Sequence, residues 1–365
     1  MQSTGSHGQP HKQNTGHGAI TLVLVAARSS SATLPRLLAS LARFARIGSV
    51  LELLMIVPGR DKSSFGAFLD HGNGTLWKTW MQRKDADAIK RYAAAWREAQ
   101  AFPVRMLADM DVLRTPYPAL DAECPPLERE SLGGRGTHYR LQMLLKIGVA
   151  SHVKTDFYLT LDQDVVAMRP FSYGDFVTTD GRAVIQNERR DGRTEHRSSW
   201  WESSAFALNA SQCAPGPLDP TIGVTPAVVP TRVSLGLKDL LSTLWRKTFQ
   251  TDAWDLVLFK LLIPGGRASD WTEYTLIYMA SCAMGLQDAI FDTKEPGAGK
   301  LYRFFRSDSD VIDDSNGDIN GVITHAPSVG SRETSPVFGV VQGIETDAEF
   351  TNRCLLSVIF SDASK

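Results

Sequence analysis

An α/β fold is predicted for this chain of 365 residues, with a mostly parallel central sheet flanked by helices and a mixed second half. Three observations predict it. Strand-like runs alternate with helical patterns through the first half, which implies right-handed crossovers between parallel strands. The run Ile20 to Ala27 is continuously apolar and rich in β-branched residues, as a strand buried on both faces is. A second run, Asp156 to Val166, carries Asp162 and Asp164. Open sheets bind ligands beyond the carboxyl ends of their strands, and this pair is read as closing such a strand.

Taken in order, Ile20 to Ala27 is the first strand, and Arg28-Ser29-Ser30-Ser31 is a short polar loop. Leu34, Leu37, Leu38, Leu41 and Phe44 then recur at helical spacing. Glu52 to Val57 is a second strand, stopped by Pro58-Gly59. Residues 60 to 101 read mainly as helix, Val104 to Leu107 as a third strand, and Arg114 to Gly136 as a connection rich in Pro and Gly. Tyr139 to Val149 is helical and leads into the Asp156 strand. Past Arg169-Pro170 the pattern changes. Short strands are expected at Ala183 to Gln186 and Ser204 to Leu208, then a turn and strand over Thr221 to Val229 and a helix over Leu235 to Trp245. A helix over Asp270 to Met279, capped by Ser269 or Asp270, precedes strands at Val322 to His325 and Val337 to Gln342.

These elements divide the chain into a tail (1–18), a ligand-binding half (19–180), a second half of the same domain (181–345) and a C-terminal extension (346–365). The tail is Gly, His, Gln, Ser and Thr, so it is read as disordered.

A formal net charge of -1 argues against nucleic acid as a partner. No apolar run approaches the ~20 residues a bilayer span needs. Cys124, Cys213, Cys282 and Cys354 are far apart without metal or redox spacing, and buried free thiols are expected. Asn73-Gly74-Thr75 and Asn209-Ala210-Ser211 are glycosylation sequons that carry meaning only in a secretory compartment. Cytoplasm, or a Golgi lumen if an anchor has been removed, both fit this sequence.

Two phosphate-binding signatures are missing. Ala26-Ala27-Arg28-Ser29-Ser30 stands where a dinucleotide fold has its glycines, and no Gly-rich loop ending in Gly-Lys occurs. Asp162 and Asp164, at i and i+2 of an extended chain, would point the same way and suit a hard divalent cation, Mn²⁺ or Mg²⁺. The pattern alone is weak, since Asp85-Ala86-Asp87, Asp109-Met110-Asp111 and Asp308-Ser309-Asp310 share it and read as solvated turns.

Tyr139-Arg140-Leu141, Lys146 and Tyr158-Leu159-Thr160-Leu161-Asp162-Gln163-Asp164-Val165 resemble the helix and metal-binding strand of GT-A glycosyltransferases in the manner of glycogenin-like enzymes. The chain is closer still to an uncharacterised branch with a Leu-Asp-x-Asp strand and a Trp-x-Glu-Tyr helix. The resemblance implies a GT-A-like, Rossmann-like sheet and a metal-dependent transferase. Such an enzyme moves sugar from a nucleotide-sugar donor to a carbohydrate or other hydroxyl acceptor. It further implies that Asp164 binds the metal and that Asp162 helps hold the metal or the donor. Lys146, sixteen positions before Asp162, would meet the diphosphate. Arg28 and Arg140 are further candidates for donor contact, and His325 for a third metal ligand. Glu273 or Glu202 would serve as base toward the acceptor, and Trp200-Trp201 would offer an aromatic face to a sugar ring. The bland alternatives are a solvated helix lysine, a loop histidine and a helix-surface acid. Two other functions stay open: a GT-A-like module that binds glycan or nucleotide without turnover, and a sugar-phosphate nucleotidyltransferase.

Overall fold

The computed structural model describes residues 18–27, 33–71, 77–79, 81–82, 86–99, 102–123, 136–185, 196–216, 221–223, 225–262, 270–292, 302–305 and 337–341. Their core is a five-stranded sheet of β1 (Ile20–Val25), β2 (Val50–Val57), β3 (Val104–Ala108), β4 (Phe157–Leu161) and β7 (Ala227–Pro230). The strand order is β3-β2-β1-β4-β7. β1 runs parallel to β2 and β4, and β2 parallel to β3, while β7 closes the edge antiparallel to β4. Ile20, Leu22, Val23 and Leu24 are all fully buried, which explains why β1 reads as an uninterrupted apolar run.

The parallel strands need crossovers, and helices supply them: α1 (Thr33–Phe44) between β1 and β2, then α2 (Lys62–His71) and α3 (Ala86–Ala99) before β3. A short helix α4 (Asp109–Val112) stands where Asp109-Met110-Asp111 reads as a solvated turn, and another, α5 (Tyr117–Glu123), within the expected connection. Then α6 (Gly136–Gly148) leads into β4. Tyr158, fully buried on β4, donates its Oη to the Lys146 carbonyl at 2.8 Å and meets Ser234 Oγ at 2.8 Å, which clips α6 and the next long helix to the sheet.

The chain moves outward from β1 to β2 and β3, then returns to place β4 on the other side of β1. That reversal makes the carboxyl ends of β1 and β4 the switch point, where a doubly wound sheet opens a crevice.

Beyond β4 the expected single strand is broken. Asp162, Gln163 and Asp164 form a turn in which Val165 N donates to Asp162 O at 3.2 Å, and β5 (Val165–Ala167) leaves for a separate sheet ordered β5-β10-β9. Its other strands are β9 (Tyr302–Phe305) and β10 (Phe338–Val341). A two-stranded sheet pairs β6 (Ala183–Val184) with β8 (Phe291–Asp292).

The second half also holds α7 (His196–Leu208), α8 (Thr231–Phe249), α9 (Trp254–Lys260), α10 (Glu273–Ala283) and α11 (Gln287–Ile290). Two expectations fail here. Ser204 to Leu208 is the last part of α7, because Trp201, Ala205 and Leu208 share one buried helical face. Helix α10 starts at Glu273, capped by Thr272, whose Oγ1 accepts from Thr275 N at 3.2 Å. Asp270 therefore lies outside that helix and is not its cap. The strand expected at Val322 to His325, residues 1–17 of the tail and the extension lie outside the described residues.

Cys213 and Cys282 form a disulfide between the short turn after α7 and α10, 69 residues apart, which corrects the reading of these two as free thiols. Spacing hid it because two cysteines so far apart meet only through the fold. Cys124 and Cys354 lie outside the described residues. Such a bond forms and persists in oxidising compartments. Reduction, or a Cys213→Ala/Cys282→Ala double variant, should lower the unfolding free energy by ~2–4 kcal/mol. Denaturant unfolding with and without dithiothreitol measures it, and coincident curves would show that the bridge adds nothing.

Candidate active site

The turn after β4 puts two carboxylates at the switch point in different surroundings. Asp162 keeps partial exposure and accepts from Gln142 Nε2 at 2.6 Å, while Lys146 Nζ lies 2.8 Å from the same oxygen, Oδ1. Gln142 and Lys146 are four apart on α6 and so share one face. Asp164 has a buried Oδ1 with no hydrogen-bond partner among the described residues. Burial first, and then the charge of Asp162, raise its carboxyl to about 6. Orphaned buried acceptors are rare in folded chains, and a hard cation is one group that would satisfy this oxygen. The chemistry of this oxygen therefore fits a hard cation, and the charge of Asp162 acts on the same carboxyl. Among the described residues no three His, Cys, Asp or Glu side chains cluster to hold an ion. His325, expected as a third ligand, lies outside the described residues, as does Arg28.

Lys146 is only 3% exposed, and its ammonium sits inside the protein. Its Nζ reaches Thr225 Oγ1, Glu273 Oε1 and Tyr274 Oη at 3.0 Å each, besides Asp162. Burial alone would depress its pKa, but the carboxylates of Asp162 and Glu273 reverse that and hold it well above the usual lysine range. Tyr274 is pushed up by burial and by the Glu273 charge, and its hydroxyl also bonds Thr225. Lys146 thus ties α6, the β4 turn and the start of α10 together, with its donors turned to protein rather than toward a diphosphate.

Glu273 is equally enclosed: 2% exposed, at the first position of α10, facing Lys146. A base must reach the proton it removes; this carboxylate is committed to an internal ion pair. Arg140, 3% exposed, donates to the Trp271 carbonyl at 2.6 Å, stacks 5.1 Å from the Trp271 ring and lies 3.9 Å from Asp270. It braces the segment before α10. Asp270 stays 43% exposed and takes a hydrogen bond from Ser199 on α7.

Glu202 lies elsewhere. It is exposed on α7 and lines a groove of ≈ 740 Å³ with Phe206, Asn209, Leu244, Trp245 and Thr248, and none of Lys146, Asp162, Asp164 or Glu273 lines that groove. Trp200 and Trp201 are helical neighbours, and Trp201 is buried against Tyr278 with ring centroids 5.5 Å apart.

Sequence reasoning missed Gln142 and Arg36. Gln142 had a findable signal, four residues before Lys146 on the helix already singled out. Arg36 had none, because an arginine among the leucines of α1 reads as a solvent-facing residue. It is instead 7% exposed, with an Nε that finds no hydrogen-bond partner among the described residues.

Residues 63–346 match the model of DUF6492, described as a family of unknown function. No curated protein matches the chain. Among solved structures it is similar to mouse xyloside xylosyltransferase 1 in apo form, at 12% identity, covering 88% of this chain and 97% of that one with a TM-score of 0.42. It is also similar to the galactosyltransferase LgtC in complex with donor and acceptor sugar analogs, at 9% identity over 94% and 96% of the two chains with a TM-score of 0.44.

Proposed function

This chain belongs to DUF6492, a family of unknown function, and we propose that it is a metal-dependent glycosyltransferase acting on a nucleoside-diphosphate sugar. The observation that carries this reading is the carboxylate pair at the switch point, with the Asp164 Oδ1 atom buried and without a hydrogen-bond partner among the described residues. A carboxylate kept in that condition suits a cation-binding role better than a structural one, since a structural acid would be paired. Bound there, Mn²⁺ or Mg²⁺ would neutralise charge developing on the departing diphosphate.

The protein's own part is placement. Lys146 and Gln142 both hold Oδ1 of Asp162, which fixes that carboxylate in one orientation without rearrangement. Glu273 holds Lys146, and Thr225 and Tyr274 complete its coordination, which leaves the ammonium little freedom to swing. Arg140 anchors the backbone before α10 through Trp271. In this arrangement Lys146 and Glu273 act on the reaction through Asp162, as positioning residues.

The test is incubation of the protein with a panel of nucleotide-sugars and MnCl₂, reading the nucleoside diphosphate released. Water can stand in slowly for an unknown acceptor. Release from at least one donor, abolished by chelator, is expected. Neither binding nor release across the panel would remove the transferase reading.

A further inference from the structure

A buried polar nitrogen left without a hydrogen-bond partner costs free energy, so a chain that keeps one invites the question of what completes it. Arg36 Nε is such an atom among the described residues. Its position follows from its neighbour one turn later: Ser40 Oγ accepts from Ala167 N at 3.0 Å, which lays this face of α1 along β5. Arg36, four residues earlier on that face, therefore lies over the turn that precedes β5, where Asp164 sits. Each of the two charges favours the ionised form of the other, yet among the described residues no ion pair joins them, and Arg36 Nε and Asp164 Oδ1 both lack a hydrogen-bond partner. Tyr92 on α3 is the other titratable group facing Arg36.

A guanidinium nitrogen and a carboxylate oxygen, each buried, each unbonded among the described residues and each acting on the other's charge, would both be satisfied by a group that accepts from one and binds the other. A phosphoryl oxygen accepts guanidinium N–H bonds, and the cation that accompanies a phosphate is what an orphaned carboxylate oxygen takes. The planar guanidinium presents its donors in the geometry a phosphate matches.

We infer that Arg36 binds a diphosphate whose accompanying cation is held at Asp164. This rests on the donor reading above and extends it: the basic group facing the leaving diphosphate comes from α1, not from Lys146.

The probe is inorganic pyrophosphate in excess MgCl₂, titrated calorimetrically into the parent chain, Arg36→Met and Arg36→Lys, with thermal unfolding of each in the absence of ligand. The parent should bind. Arg36→Met should bind about 10–100-fold more weakly, the range of a lost charged hydrogen bond. Arg36→Lys should fall between. The unliganded Met variant should unfold at the same temperature as the parent or higher, since it no longer buries a charged group whose Nε has no hydrogen-bond partner among the described residues. Equal affinity in parent and Met variant overturns the assignment and leaves the carboxylate site standing. A lower unfolding temperature with unchanged affinity also overturns it, and marks a structural arginine satisfied by water. A parent chain that binds neither pyrophosphate nor any nucleoside diphosphate removes the donor reading together with this one.

Discussion

Lys146→Met should cost ~3–5 kcal/mol of folding stability, a large share of the ~5–15 kcal/mol a typical chain has. Methionine fills nearly the same space, so packing changes little, but Glu273 is left 2% exposed with no cation beside it. The cost of that orphaned charge, more than the loss of attraction, sets the size of the effect. A second substitution separates the two. In Lys146→Met/Glu273→Leu no charge is stranded, and most of the stability should return, because replacing both members of a buried pair by apolar groups is often neutral. Transferase activity should not return with it, since Asp162 would still lack its 2.8 Å tether. Urea unfolding of the three chains, with donor turnover measured on each, reads both effects. A single variant as stable as its parent would show that the ion pair contributes little. A fully active double variant would show that Lys146 does not position Asp162.

This contrast also shows where sequence reading works and where it stops. The sheet was legible: β1, β2 and β4 announce themselves as largely apolar runs because strands buried on both faces have few polar positions to spare, and the half-buried edge strand β3 follows as a shorter run. Position was legible too, since Asp162 and Asp164 follow the fourth such run. Their geometry was not. The pair lies in a turn rather than along an extended strand, because Val165 leaves for the β5 sheet, and a change of sheet has no local signature. The roles of Lys146 and Glu273 were hidden for a related reason. The two are 127 positions apart, and each reads as a helix residue with one charged face. Only their meeting, with Thr225 and Tyr274 closing around the ammonium, turns two solvated charges into one buried network. Ser204 to Leu208 failed at a simpler level: a short mixed run satisfies both periodicities, and packing against α10 decided for helix.

Asp164→Asn should move stability and activity in opposite directions. In the free protein, with chelator present, the Asp164 carboxyl is raised from 3.8 to about 6, mainly by burial. Across that window the native chain keeps a proton that the unfolded chain has already released. Native stability therefore falls as pH rises through it and stays reduced above it. Asparagine carries no charge to bury, so at pH 7.5 the variant should exceed its parent by on the order of 1–3 kcal/mol, a gap that closes as pH drops toward 4. Turnover should go the other way. On the proposed reading Asp164 holds a catalytic cation, and losing such a group removes several kcal/mol of transition-state stabilisation, about a thousandfold in rate. Thermal unfolding against pH, paired with nucleoside diphosphate release at saturating MnCl₂, measures the two. An acid that merely supported the turn would behave in reverse: its amide would weaken the fold at every pH and leave turnover nearly intact. A stabilised variant that has lost its turnover is the signature of a residue whose environment is unfavourable to its own charge until a ligand arrives. That is the condition in which the fold holds Asp164.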